Sequence, residues 1–150
     1  MKKTLFLFLV LGFVLTSFTI SHYSSVPAPE KAEVTGIDFK SISFADALKL
    51  AKKENKVIFI DAYATWCGPC KMMDSRTFSD AKVGKYFNDN FINLKIDMEK
   101  NADGPEIARR FKVQAYPTLL FVNGEGKLVH SILGFRNASA FLIETQNGLK

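Results

Sequence analysis

Val57-Ile58-Phe59-Ile60-Asp61-Ala62-Tyr63, followed after Ala64-Thr65 by Trp66-Cys67-Gly68-Pro69-Cys70-Lys71, is the stretch on which the fold turns. The first seven residues form an apolar run of strand length with one acid in it, the pattern of a central strand covered on both faces. Beyond Cys70, apolar residues fall at helical spacing from Lys71 to Phe78. A buried strand that runs into a helix at a cysteine pair predicts an α/β domain with its chemistry at the strand-to-helix junction.

The flanking sequence alternates in the same way. Phe44, Ala47, Leu48 and Ala51 stand at i, i+3, i+4 and i+7, so the spacing predicts an amphipathic helix over Phe44–Lys53 with Ser43 as N-cap. After the cysteines come a second helical piece over Ala81–Phe87, capped by Ser79 or Asp80, and an alternating strand over Phe91–Asp97. A short helix over Pro105–Phe111 and a strand over Thr118–Val122 follow. Asn123-Gly124 is a hairpin turn into Lys127–Leu133, and Asn137-Ala138-Ser139 opens a last helix through Thr145. The order predicts a central mixed sheet flanked by helices, parallel where helices cross over and with an antiparallel hairpin at one edge.

Composition sets limits on function. A chain of 150 residues, 47% hydrophobic and 23% charged, is one domain's worth and leaves little room for long disorder. Two cysteines allow one intramolecular disulfide at most and exclude an all-cysteine zinc or iron–sulfur site. The formal net charge is +5, but setting Lys2 and Lys3 aside leaves 18 basic against 15 acidic residues. These are interspersed with no arginine-rich stripe, so nucleic acid is not an expected partner.

Met1-Lys2-Lys3 and the uncharged run Thr4 to Ile20 make residues 1–21 a signal peptide or an N-terminal membrane anchor. Either places the remainder outside the cytoplasm: periplasmic in a Gram-negative cell, otherwise secreted or anchored to the inner membrane. Residues 22–38, with Ser24, Ser25, Pro27 and Pro29, read as a linker, and residues 39–150 as the folded domain.

Two cysteines separated by two residues at a helix N-terminus close a small disulfide ring, because one helical turn brings their side chains within bonding distance. Cys67, at the first turn, has its thiolate favoured by unpaired N–H groups and the helix dipole, which makes it the attacking sulfur. Cys70, one turn further in, suits the resolving thiol that breaks a mixed disulfide. Pro69 fixes the backbone between them. A structural staple is the poorer reading, since so short a loop constrains the unfolded chain little. Only His22 and His130 are available to complete a metal site, and no metal is expected.

Trp66-Cys67-Gly68-Pro69-Cys70-Lys71 resembles the active site of the thioredoxin family, and the resemblance runs from about Phe44 to Leu142. Asp61, six residues before Cys67, matches the family's buried acid, which implies help with proton transfer at the inner thiol. Ala115-Tyr116-Pro117-Thr118 matches the loop whose cis-proline packs against the disulfide, and Asn123-Gly124-Glu125-Gly126-Lys127 matches the late hairpin. Thr77-Phe78-Ser79-Asp80 and the residues around Asp97 are similar to the extracytoplasmic C-terminal domain of bacterial transmembrane thiol–disulfide interchange proteins. One departure is expected. The family carries a lysine beside the buried acid, and alignment on Ile96-Asp97 puts Asn93 there and moves the lysine to Lys95.

The resemblance implies a thioredoxin fold and an exported thiol–disulfide oxidoreductase, with Cys67, Cys70 and Asp61 as catalytic residues. Trp66, Gly68, Pro69, Tyr116 and Pro117 would bind the partner chain. Gly68-Pro69 resembles the reducing members and favours a protein-disulfide reductase. A thiol oxidase or isomerase of the same fold, or a non-catalytic binding or chaperone module, stays open. No dissociable cofactor is expected. The expected partners are protein disulfides and a membrane thiol transporter as electron donor, with residues 4–20 as tether and the domain as a monomer.

Overall fold

The computed structural model describes residues 35–150; the expected signal or anchor segment and most of the linker lie outside them. Helix α1 (Phe44–Glu54) begins where expected, its Ser43 Oγ accepting from the Asp46 N–H at 3.1 Å, and Asn55 ends it in the left-handed conformation. Strand β1 (Val57–Tyr63) leads into α2 (Gly68–Met73), which continues through a π-helical turn (Asp74–Phe78). Asp80 rather than Ser79 then caps α3 (Ala81–Asn90), accepting from the Lys82 and Val83 N–H groups. β2 (Phe91–Asp97), α4 (Gly104–Phe111), β3 (Thr118–Val122), β4 (Leu128–Leu133) and α5 (Ala138–Gly148) complete the order, with Asn137 capping α5.

The sheet runs β2-β1-β3-β4, with β1 parallel to β2 and both other pairings antiparallel. The expected edge hairpin is β3–β4. The expectation of parallel pairing at each helical crossover holds for β1–β2 but not after α4, because β3 enters antiparallel to β1. The geometry of the connection explains the difference. Gly104 packs on Met98 at the end of β2, and at the other end of α4 Arg110 donates to the Gly126 carbonyl beyond the end of β3. Eight helical residues descend about 12 Å. The return through Val113–Tyr116 climbs back, so β3 starts at the end where β2 stopped.

Alternation along the strands sorts side chains into two layers. Ile58, Ile60 and Ala62 of β1 and Ile92, Leu94 and Ile96 of β2 pack with Phe44, Ala47, Ala51 and Ile107 of α1 and α4. Phe59, Phe91 and Phe121 face the other way, against Met73, Phe78, Val83, Phe87 and Phe141. Phe87 lies at the centre of this aromatic layer, 4.7 Å from both Phe59 and Phe141 between ring centroids. Asp61 shares the face of Phe59, so β1 delivers its one acid beneath the helix that carries the cysteines. Ahead of α1, the chain lies across this layer: Ile37 N–H donates to the Phe78 carbonyl and Lys40 N–H to that of Asn93. A side chain on Gly84 would collide with the Gly36 backbone, which fixes how closely that segment meets α3. Among the described residues no helix is long and apolar enough to cross a membrane.

Candidate active site

Cys67 is the N-cap of α2. Its extended backbone (φ −71°, ψ 111°) ends the loop from β1, and its Sγ accepts from the Cys70 N–H at 3.1 Å. Pro69 occupies the first turn, where a missing N–H leaves no helical bond unmade. Cys67 and Cys70 are joined by a disulfide with an S–S distance of 2.07 Å. Both are buried with Ala64, against Tyr63 and Tyr116. The rim around them is open: Gly68 and Pro69 are exposed, and nothing lies within 4 Å of where a side chain on Gly68 would begin. A second polypeptide therefore has room to approach the bond with its backbone.

Trp66 stands over this rim, 67% exposed. Its indole Nε1–H is shared between the two carboxylate oxygens of Glu99 at 3.1 and 3.0 Å, and its ring meets Tyr116 edge-on at 5.9 Å. The loop that presents Glu99 is held in turn by Asp97, whose Oδ1 accepts from the N–H groups of Glu99 and Lys100. Partial burial, then the nearby charges of Glu99 and Asp97, push the Tyr116 phenol above its ordinary range. The Tyr116–Pro117 peptide bond is cis, and the Pro117 carbonyl accepts from the Gly134 N–H at 2.8 Å. Thr118 Oγ1 donates to the Ala115 carbonyl at 2.6 Å and pins the other side of the loop.

Asp61 is wholly buried. Parallel register places Lys95 directly opposite it, and the Lys95 ammonium donates to Asp61 Oδ2 at 2.6 Å. This corrects the alignment-based expectation that the family's lysine had moved away. Asn93 lies opposite Phe59 and its amide faces the carbonyls of Asp38 and Phe87. Lys95 donates equally closely, at 2.6 Å, to Asp74 at the start of the π-helical turn. Its ammonium also lies 4.4 Å from the Tyr63 ring and 5.5–5.6 Å from Phe78 and Phe39. Burial pushes the Asp61 carboxyl up to about 6, with the Lys95 charge and hydrogen bond pulling it back. For Lys95, burial works downward but is outweighed by the charges and hydrogen bonds of Asp61 and then Asp74, so its ammonium is held above the ordinary range.

The structure thus brings Cys67, Cys70, Trp66, Gly68, Pro69, Tyr116 and Pro117 to one face, with Asp61 beneath it. Asp74 and Glu99 are additions that motif reading did not supply, and Lys95, which that reading set away from the acid, joins them. For Lys95 a signal existed: it is the fifth residue of β2 as Asp61 is the fifth of β1, and an in-register parallel pair sets them side by side. Asp74 and Glu99 come into place only through tertiary contacts. His130 is not drawn to the sulfurs; its ring lies 5.5 Å from that of Phe121.

A redox-capable cysteine pair at a helix N-terminus, on a mixed sheet with a cis-proline loop against the sulfurs, defines a thiol–disulfide exchange protein of the thioredoxin fold. The chain belongs to the thioredoxin family, whose model matches residues 38–145. It is 32% identical over 137 residues to the thiol:disulfide interchange protein DsbD of Pasteurella multocida, covering 89% of this chain and 23% of that protein. A DsbD of Haemophilus influenzae is 30% identical over 146 residues, with 25% of its length matched, so the chain spans about a quarter of these relatives. Among solved structures, a proposed disulphide-isomerase from Bacteroides thetaiotaomicron superposes with a TM-score of 0.70 at 42% identity, over 79% of this chain and 98% of that one. The oxidised C-terminal domain of Neisseria meningitidis DsbD has a TM-score of 0.60 at 21% identity, over 75% and 99%, and shares the fold.

Proposed function

We propose that the chain is an exported protein-disulfide reductase that works by thiol–disulfide exchange through Cys67 and Cys70. The observation that carries this reading is the Cys67–Cys70 bond at the start of α2, beneath an open rim with a buried acid below it. In the reduced protein the Cys67 thiolate attacks a partner disulfide and forms a mixed disulfide, releasing the first partner thiolate. Cys70, giving its proton to Asp61, attacks Cys67 Sγ; the intramolecular bond forms and the second partner sulfur leaves. The dithiol loses two electrons and the partner gains them. Tyr116 and Pro117 align the partner chain, Gly68 and Pro69 leave space for its backbone, and Trp66, held by Glu99, covers one side of the sulfurs.

Likeness to DsbD supports an extracytoplasmic domain that receives electrons from a membrane thiol transporter, tethered or released according to the fate of residues 1–21. The 42%-identical relative, itself a proposed disulphide-isomerase, supports a second direction, the reshuffling of wrongly paired disulfides. The reduction potential of the Cys67–Cys70 couple in a glutathione buffer separates the two. Family potentials run from about −270 mV in reducing thioredoxins, through about −180 mV in isomerases, to about −120 mV in the strongest oxidants. A value at the thioredoxin end is expected; one in the isomerase range or above overturns the reductase reading.

A further inference from the structure

We propose that Asp74 is the solvent-side end of a proton exit from Asp61, with Lys95 as the link between the two carboxyl groups. The inference rests on the reading above, in which Asp61 takes the proton of Cys70. That reading leaves a proton on a carboxyl that touches no solvent, and any proton not handed back to Cys70 on re-reduction has to leave through hydrogen-bonded neighbours.

The structure offers one hydrogen-bonded way out among the described residues. Asp61 Oδ1 is buried without a hydrogen-bond partner, while Oδ2 receives Lys95 Nζ at 2.6 Å. Side-chain exposure then rises stepwise, from 0% at Asp61 to 23% at Lys95 and 46% at Asp74. Both contacts of the ammonium are 2.6 Å, the short range of charge-assisted hydrogen bonds. The charged and titratable groups placed around that ammonium are Asp61, Asp74 and, through its ring, Tyr63; Phe39 and Phe78 close its other sides. Position in the helix ties Asp74 to the chemistry, since its N–H donates to the Cys70 carbonyl, one turn below the resolving sulfur.

The transfer balances without any outside group. The Asp61 carboxylic proton passes to Lys95 Nζ as one of the Nζ protons passes to the Asp74 carboxylate. Lys95 remains an ammonium throughout, Asp61 regains its charge, and Asp74 releases the proton to water. In the opposite direction of exchange the same chain delivers a proton inward. Among the described residues the Asp74 carboxylate bonds to Lys95 and to neither sulfur, so it acts through Lys95.

The test follows resolution of a mixed disulfide formed between the full chain and a peptide disulfide, by rapid mixing in weakly buffered solution. In Asp74→Asn, resolution is expected to slow about tenfold, less than the ~100-fold or more that a primary acid–base group is worth. Added acetate, a small carboxylate that can carry the proton, is expected to restore most of the rate, and Asp74→Glu to keep it. Acetate rescue is the readout that a purely structural ion pair would not show. Wild-type speed in Asp74→Asn, or a slowing that acetate leaves unrelieved, overturns the exit. Absence of exchange in the unmodified protein instead overturns the proposed function on which it rests.

Discussion

Replacing Asp61 by Asn keeps the shape of the side chain and removes its titration, and the two proteins should part company as pH rises. An aspartate paired with a lysine usually has its carboxyl depressed and stabilises the fold above its unfolded pKa. Here burial outweighs the Lys95 pair, and the carboxyl rises from 3.8 to about 6. The sign is therefore reversed: the folded state binds the proton more tightly than the unfolded chain. The stability tied to that proton is complete below about pH 4 and is lost as pH climbs through about 6. A shift of roughly 2 units at ~1.4 kcal/mol each corresponds to about 3 kcal/mol. Asp61→Asn in the oxidised protein should thus gain on the wild type by about 3 kcal/mol between about pH 4 and pH 8, whatever constant offset the substitution brings. Urea unfolding of both proteins across that range, with the disulfide intact, reads the difference directly. A difference that stays flat, or one that shrinks with rising pH, would refute the assignment of Asp61 as a carboxyl dominated by burial.

Lys95→Met should raise the Asp61 carboxyl further above about 6, by about 1–3 units, because the opposite charge at 2.6 Å is gone. Carbon-13 NMR of the Asp61 carboxyl against pH measures this, and an unchanged titration would show that Lys95 is not the counter-charge. Phe87→Ala should cost about 3–5 kcal/mol in urea unfolding, since a fully buried ring between Phe59 and Phe141 leaves a cavity that a packed layer fills poorly; a loss under ~1 kcal/mol would contradict that packing.

How much of this was legible in the sequence depends on the range of the interactions involved. Helix and strand positions were legible because Phe44, Ala47 and Ala51, or Ile58 to Tyr63, carry the period of the element and little else is needed. Caps at Ser43 and Asn137 are local chemistry and read equally well. Cys67 and Cys70 are three residues apart, so one helical turn joins them without reference to the rest of the chain. The parts that escaped depend on how distant segments are set against each other. Counting back from Ile96-Asp97 put Asn93 beside the acid, whereas sheet pairing matched Asp61 with Lys95. The direction of β3 followed from the length of α4 and its return, which periodicity does not encode. Trp66 finding Glu99, 33 residues away, and Lys95 finding Asp74 are consequences of packing alone.

The central claim is that the Cys67–Cys70 bond is made and broken in turnover through a covalent complex with another protein. Changing Cys70 to Ser removes the resolving thiol and leaves Cys67 to attack. Incubated with a disulfide-bearing protein such as insulin, the Cys70→Ser chain should accumulate a complex that survives denaturing electrophoresis, disappears on reduction and fails to form when Cys67 is also changed to Ser. No such complex, or one that persists without Cys67, would contradict the account.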